Sequence, residues 1–357
     1  MALENVSVYV EGVALEMSWA DPRRNLSEFI FDTVRNALDD AGGSLDGITS
    51  VVLAAHDLVD GRSLSSMVTA PAAGAYLRDE IRYGDDGAGA FAAAVTRLEA
   101  GECERTIVAA WGRSSEHDVD AVSRTLFDPI FARPLGLEEL HISGMRAQDW
   151  RRRHGGDSRV AAKQRAAAAA RNPRALHKGG FKSAASYPLV EADLPLWGDV
   201  AAAMILTTKP TGVRLAGLGQ SSEPYWIGDR TLHEATALRQ AAERAMREAR
   251  CKPAEIDIFE IDGLTLYDEA IGLEAIGLAK PGSGLDALAG NEKCNPSGGG
   301  AAGYCAPSMG LVRIIESVLQ IQGRAGGNQI AAPRRALATG SSVVAGQTQT
   351  AVILEAA

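Results

Sequence analysis

The sequence predicts an α/β protein assembled from two similar halves. Three observations carry that prediction. The apolar runs VVLAA, TIVAA and AAMILTT are short and continuous, as strands buried on both faces are. Helical runs alternate with them along the 357 residues. The units of the first half return in the same order in the second.

The elements follow in order. MALENVSVYVEGVAL alternates as a strand does, and NLSEFIFDTVRNALDDAG has helical spacing before the strand ITSVVLAA. GDDGAGAFAAAVTRLEAGECERTIVAAWG reads as a glycine-rich turn, an alanine-rich helix and a strand. In the second half ALRQAAERAMREARCKP leads into IDIFEID. There YCAPSMGLVRIIESVLQIQG opens a helix from a glycine-rich turn, and RRALATGSSVV follows after a loop. The repetition predicts a duplicated βαβ fold with parallel central strands.

Residues 116–195 differ in composition. From Arg151 to Lys182 there are ten Lys/Arg and one acid, Asp157, in a chain of net charge -9. Two readings are open: a solvated helix face rich in alanine, or a cationic wall for a phosphorylated ligand. The acidic balance argues against nucleic acid as a partner. Cys103, Cys251, Cys294 and Cys305 are widely spaced, supporting neither a disulfide framework nor a metal site, and a reducing cytoplasm is expected. The first residues lack a basic leader, and no apolar run approaches the roughly 18 residues of a membrane span. The GDDGAGA and SGGGAAG runs lack both GxGxxG and GK[ST], so no nucleotide cofactor is expected.

The stretch CNPSGGGAAGYCAPSMG, Cys294 to Gly310, opens the helix of the second half. A glycine-rich turn there gathers backbone N–H groups and the positive end of a helix dipole, which suits a developing oxyanion. The stretch resembles the NPSGG…GHPxGxxG segment of thiolases. Four further motifs in the expected order extend the resemblance over nearly the whole chain. They are GAGAFAAAVTRLEAGE, RHGGDSRVAAKQRAAAAARNPRAL, PLVEADLPLWGDVAAAMIL and FEIDGLTLYDEAIGLEAIGL. The sequence is similar to thiolases of the sterol-carrier-protein-x and lipid-transfer-protein type. That resemblance implies a five-layered αβαβα sandwich, a homodimeric core and an acyl-CoA ligand crossing an inserted loop domain. The implied division is residues 1–115 plus 196–208 for the N-terminal half, 116–195 for the CoA-contacting loop domain, and 209–357 for the C-terminal half.

Departures from the family pattern narrow the chemistry. The resemblance places the nucleophilic cysteine's position at Gly84, the histidine of HDCF at Asp262, and the histidine of GHP at Tyr304. No Cys–His arrangement remains, so acyl transfer through a thiolate is excluded. In these losses the chain resembles the acyl-CoA aldolases of bacterial steroid side-chain degradation. Those proteins cleave a β-hydroxyacyl-CoA by retro-aldol reaction beside a small OB-fold and zinc-ribbon partner chain. The implied activity is a carbon–carbon lyase with a coenzyme A thioester as substrate and no cofactor or metal on this chain. The alternatives are a non-catalytic thiolase-like subunit that binds acyl-CoA for a partner enzyme, and a decarboxylating or acyl-transferring enzyme without a covalent intermediate.

A retro-aldol cleavage needs a base for the β-hydroxyl and donors for the thioester enolate. Tyr304, at the mouth of a helix, is expected to have its phenolate favoured by the dipole and to serve as base. Asp262 would orient Tyr304 or a water, relay the proton, accept it in place of Tyr304, or only cap the following helix. Asn295, or backbone N–H groups near Gly84 and Gly340, would meet the enolate oxygen. Gly298, Arg151, Arg152 and Lys182 complete the expected ligand-binding set. His56 and Asp57 read as a surface turn, and Cys305 as a packed residue.

Overall fold

The computed structural model describes residues 6–357; Met1 to Asn5, the start of the first expected strand, lie outside the described residues. The first half runs β1 (Tyr9–Ser18), α1 (Leu26–Asp40), β2 (Ile48–Ala54), α2 (Asp57–Asp60), α3 (Ser66–Ala72), β3 (Asp79–Tyr83), α4 (Gly87–Glu99) and β4 (Arg105–Arg113). An inserted segment carries α5 (Val119–Leu126), α6 (Glu139–His154) and α7 (Arg159–Arg171). The chain then forms β5 (Asp199–Thr207), β6 (Val213–Ser222), α8 (Thr236–Glu248), β7 (Ile258–Glu260), α9 (Leu266–Ala275), α10 (Gly284–Gly290), α11 (Met309–Ile321), β8 (Arg335–Ser341) and β9 (Thr348–Ala356).

The strand order is β3-β2-β4-β5-β1-β6-β9-β8-β7. Only two residue pairs, Tyr9↔Arg214 and Val10↔Val213, join β1 to β6, so the sheet consists of two half-sheets. Strand periodicity then builds the layers. Along β2, Val51 and Leu53 pack with Phe29, Ile30 and Val34 of α1. The alternating Val52 and Ala54 pack with Phe91 and Val95 of α4 and with α11. On the far side, α8 and α9 bury Leu238, Ala241 and Ile271 against Leu337 and Ile353 of β8 and β9. The outcome is the five-layered αβαβα sandwich, with α4 and α11 in the middle layer.

The central helices approach closely because glycine lies where they meet. A Cβ on Gly87 would fall 2.6 Å from Leu311 Cβ, and one on Gly310 would fall 2.2 Å from Asp86 Oδ2. Among the described residues no helix is long and apolar enough to cross a membrane.

One expectation is corrected. Parallel pairing is confined to β3-β2-β4 and to β7-β8; β5, β1, β6 and β9 pair antiparallel. For β4 and β5 the reason is the insertion. It leaves β4 at Arg113 and enters β5 at Asp199, which face each other in register, so the chain must reverse direction. Asp199 seals the junction by accepting from Ser115 N–H at 2.9 Å and Ser115 Oγ–H at 2.7 Å.

Candidate functional site

Tyr304 sits in a cleft between the inserted segment and the C-terminal half. Its backbone is clamped to the segment before β5, donating to Leu196 O at 2.8 Å and accepting from Gly198 N–H at 3.0 Å. Its ring meets Trp197 edge-on, with centroids 5.2 Å apart. Asp262, Glu139, Asp268 and Ser341 line the same cleft.

Asp262 follows β7. Its N–H donates to Thr339 Oγ1 at 2.8 Å, and its Oδ2 accepts from Ser341 N–H at 3.1 Å and Ser341 Oγ–H at 2.9 Å. Oδ1 has no hydrogen-bond partner among the described residues. Burial pushes this carboxyl up to about 6, against the opposing pull of Arg313 and the Ser341 hydrogen bonds. Asp262 is not the cap of α9. Thr265 takes that role in a capping box with Asp268, so the expected capping function is corrected.

The expected phenolate at Tyr304 is also corrected. Burial, with the charges of Asp262, Glu139 and Asp86 behind it, holds the phenol well above the usual tyrosine range. Helix α11 begins only at Met309, after a 3-10 turn from Ala306 to Ser308, and a dipole is felt chiefly within the first turn. A helix terminus contributes about 0.3–1 kcal/mol, less than one pKa unit, and burial outweighs it. Tyr304 is therefore a neutral donor.

Asn295 is corrected from an enolate donor to a structural clasp. It has a positive φ of 44°, its Oδ1 accepts from Ile261 N–H at 2.6 Å, and its Nδ2 donates to Ile261 O at 3.1 Å. Both amide atoms are thus committed to the backbone beside Asp262. Gly84 lies in an open turn where a Cβ would meet no atom within 4 Å. The residue at the start of α4 is Asp86, whose carboxylate caps the helix through Ala88 N–H at 2.8 Å and reaches Gly310 N–H at 2.9 Å. Burial and the charge of Asp262 push Asp86 well above the usual carboxylate range.

Gly340 and Gly298 are packing positions, not ligand contacts. A Cβ on Gly340 would lie 2.2 Å from Asp86 Oδ2, and one on Gly298, at φ 98°, would lie 2.5 Å from Ala169 Cα on α7. Arg151, Arg152 and Lys182 are exposed and do not line the cleft, so only the far end of a long ligand could reach them. Arg151 donates to Pro188 O at 3.3 Å and Lys182 to Glu191 O at 2.8 Å, while Arg152 borders an outer groove with Tyr187. His56 caps α2 by accepting from Leu58 N–H, and Asp57 pairs with Arg82 at 2.8 Å, as a surface turn does. Cys305 is buried, and burial pushes its thiol up to about 12.

Sequence reasoning missed Glu139 and Asp85. Glu139 opens α6, its Oε1 accepts from Ala345 N–H at 2.6 Å, and burial pushes it up to about 8. Asp85 accepts from Val343 N–H at 2.8 Å and is pushed by burial up to about 6. Asp86 had a local signal, as an acid at the N-cap of an alanine-rich helix. Glu139 had none, since only tertiary packing brings the insertion to Tyr304.

The geometry agrees with comparison to known proteins. Residues 219–356 match the thiolase C-terminal domain-like family. A 107-residue stretch is 32% identical to sterol carrier protein 2 of Gallus gallus, covering 28% of this chain and 20% of that protein. The chain thus spans a fifth of that relative's length. The Ltp2-ChsH2(DUF35) aldolase superposes with a TM-score of 0.78 at 17% identity, over 99% of both chains. Residues 219–356 are thus similar to the thiolase C-terminal domain-like family, and the whole chain shares the fold of that aldolase. A monomeric SCP2-thiolase like protein type 1 from Mycobacterium smegmatis superposes at 0.72, with 16% identity over 99% of this chain and 78% of the other. In this fold Asp86 stands at the N-terminal end of α4, while Tyr304 precedes α11 and Asp262 follows β7.

Proposed function

We propose that this chain is an acyl-CoA aldolase that cleaves a β-hydroxyacyl-CoA into a ketone or aldehyde and a shorter acyl-CoA. One observation carries the reading. A protonated phenol and a carboxylate with an unpartnered oxygen share one cleft, and no cysteine lines it among the described residues. Asp262 accepts the β-hydroxyl proton, and the Cα–Cβ electron pair moves into the thioester to form an enolate. Tyr304 donates a hydrogen bond to the enolate oxygen. Protonation at Cα releases the shorter thioester. This assignment takes Asp262 rather than Tyr304 as the base, because the group that ionises first is the better base near neutral pH.

The substrate class is a coenzyme A thioester, with a steroid side chain among the acyl groups to be tried, and no cofactor or metal on this chain. The reading includes a cytoplasmic setting and a homodimeric core. The open edge of β3 supports the latter, together with Leu64, Met67 and Leu77, exposed and close to it in sequence. It also includes a small OB-fold and zinc-ribbon partner chain, in keeping with the two-component name of the Ltp2-ChsH2(DUF35) aldolase.

The test is incubation of the chain, alone and with such a partner, with a panel of β-hydroxyacyl-CoA esters, following ketone and shortened thioester by mass spectrometry. Tyr304→Phe should stay folded and bind ester yet lose about 10²–10³-fold in cleavage. Unchanged turnover in that variant overturns its role. Ester binding without cleavage in every arm overturns the lyase reading and leaves a non-catalytic acyl-CoA-binding subunit.

A further inference from the structure

The proposed cleavage leaves one proton unassigned. Asp262 gains a proton from the hydroxyl, whereas the enolate carbon must receive one before the shorter thioester can leave. A second proton-handling group in the same cleft would supply it without Asp262 having to give back the proton it has just taken.

We infer that Glu139, the first residue of α6, is the acid that protonates the enolate carbon, an assignment that rests on the aldolase reading. Glu139 and Asp262 line one cleft with Tyr304 from opposite parts of the chain, the insertion and the C-terminal half. Oε1 of Glu139 is tied to Ala345 N–H, and among the described residues no hydrogen bond is made to Oε2. The other acids nearby are committed. Asp86 holds two backbone N–H groups and Asp85 holds Val343 N–H, and neither lines the cleft. Asp268 accepts from Ser143 Oγ–H at 2.6 Å, serves the cap of α9 and pairs with Arg146 at 3.2 Å.

The charges facing Glu139 are Asp268 and Asp85, which raise it, and Arg230, which opposes them. Tyr304 stands across the cleft as a neutral neighbour. Burial is the largest influence, and a carboxyl held at about 8 keeps its proton at neutral pH, where Asp262 at about 6 has lost its own. Two carboxyls pushed apart in this way divide into acid and base.

The step balances. The Glu139 O–H bond breaks as the Cα–H bond forms with the enolate electron pair, and the thioester carbonyl is restored. Glu139 is left anionic and Asp262 protonated. One proton passing from Asp262 to Glu139, directly or through solvent, returns both to their starting states, so no oxidant or co-reactant is needed.

The reverse of this step can be read without cleavage. In D2O, the wild-type protein with its partner should exchange the α-hydrogen of a short acyl-CoA product, and Glu139→Gln should slow exchange at least about 100-fold. Glutamine still accepts from Ala345 N–H. Should it fail to fold, Glu139→Asp is expected to exchange at an intermediate rate. The wild-type cleavage profile should fall above about pH 8, and Glu139→Gln should lose that alkaline limb while KM changes little. Wild-type exchange in Glu139→Gln, or in Glu139→Asp where only that variant folds, overturns the inference while cleavage by the wild type preserves the aldolase reading. A wild type that neither cleaves nor exchanges overturns both.

Discussion

Two sets of buried acids flank the loop from Asn295 to Tyr304, and they differ in their partners. On the side away from the cleft, each acid has a guanidinium. Arg165 pairs with Glu269 at 2.9 Å, Arg313 with Glu260 at 3.3 Å, and Arg174 donates to Glu316 at 3.0 Å. These acids pin the loop itself: Glu269 accepts from Gly300 N–H, and Glu260 accepts from Ser297 N–H and Oγ–H. On the cleft side, Asp262 and Glu139 have backbone and hydroxyl donors but no direct cation. The division is not absolute, since burial raises Glu260 to about 7 in spite of Arg313. Even so, paired acids give a rigid scaffold, whereas unpaired ones keep the displaced pKa values that proton transfer uses.

Breaking the paired side should have the largest effect on stability. Arg165→Met leaves Glu269 buried without its cation and frees three carbonyl acceptors, at Ala192, Asp193 and Leu194. Loss of one partner from a buried pair costs about 3–5 kcal/mol. Chemical denaturation should show that loss; a change below about 1 kcal/mol would make the pair dispensable.

Breaking the unpaired side should do the opposite. Asp262→Asn should lower cleavage by about 10²–10⁴-fold and stabilise the fold at pH 8. The carboxyl has its folded-state pKa raised from 3.8 to about 6. Its neutral form therefore favours the fold below about pH 4, and that advantage is lost as pH rises through 6. Asparagine keeps a neutral acceptor for both Ser341 donors, so the variant should gain about 2–3 kcal/mol at pH 8 and nothing near pH 4. Equal thermal midpoints at pH 8 would show that the carboxylate carries no such strain.

The comparison also explains what could be read from the sequence. Helices α1, α4, α8 and α11 and strands β2, β4 and β5 were legible because apolar spacing is a local signal. Tyr304 and Asp262 were legible because each lies within a contiguous motif. The acidity of Tyr304 was not, because the carboxyls around it come from α4, α6 and the end of β7, and no local window contains them. Asp86 was not singled out, although it stands two residues after Gly84 as the N-cap of α4. Most of the ten-cation stretch is the solvated face of the first reading, with Arg151, Arg152 and Lys182 in solvent, while Arg165 and Arg174 turn inward to buried glutamates.

The smallest effect sharpens the contrast at a single peptide step. Tyr304 and Cys305 are adjacent in extended backbone, so their side chains leave on opposite sides. The phenol lines the cleft with Asp262, while the thiol packs against β4, where a Cβ on Gly112 would lie 2.3 Å from its Sγ. Cys305→Ala should therefore leave cleavage within about twofold of wild type and cost roughly 1 kcal/mol or more through the small void it opens. A thiol held at about 12 is not a thiolate at neutral pH, so alkylating reagents should leave the folded protein active. Capture of an acyl group on Cys305 by mass spectrometry, or loss of cleavage in Cys305→Ala, would show that sulfur chemistry persists beside the phenol.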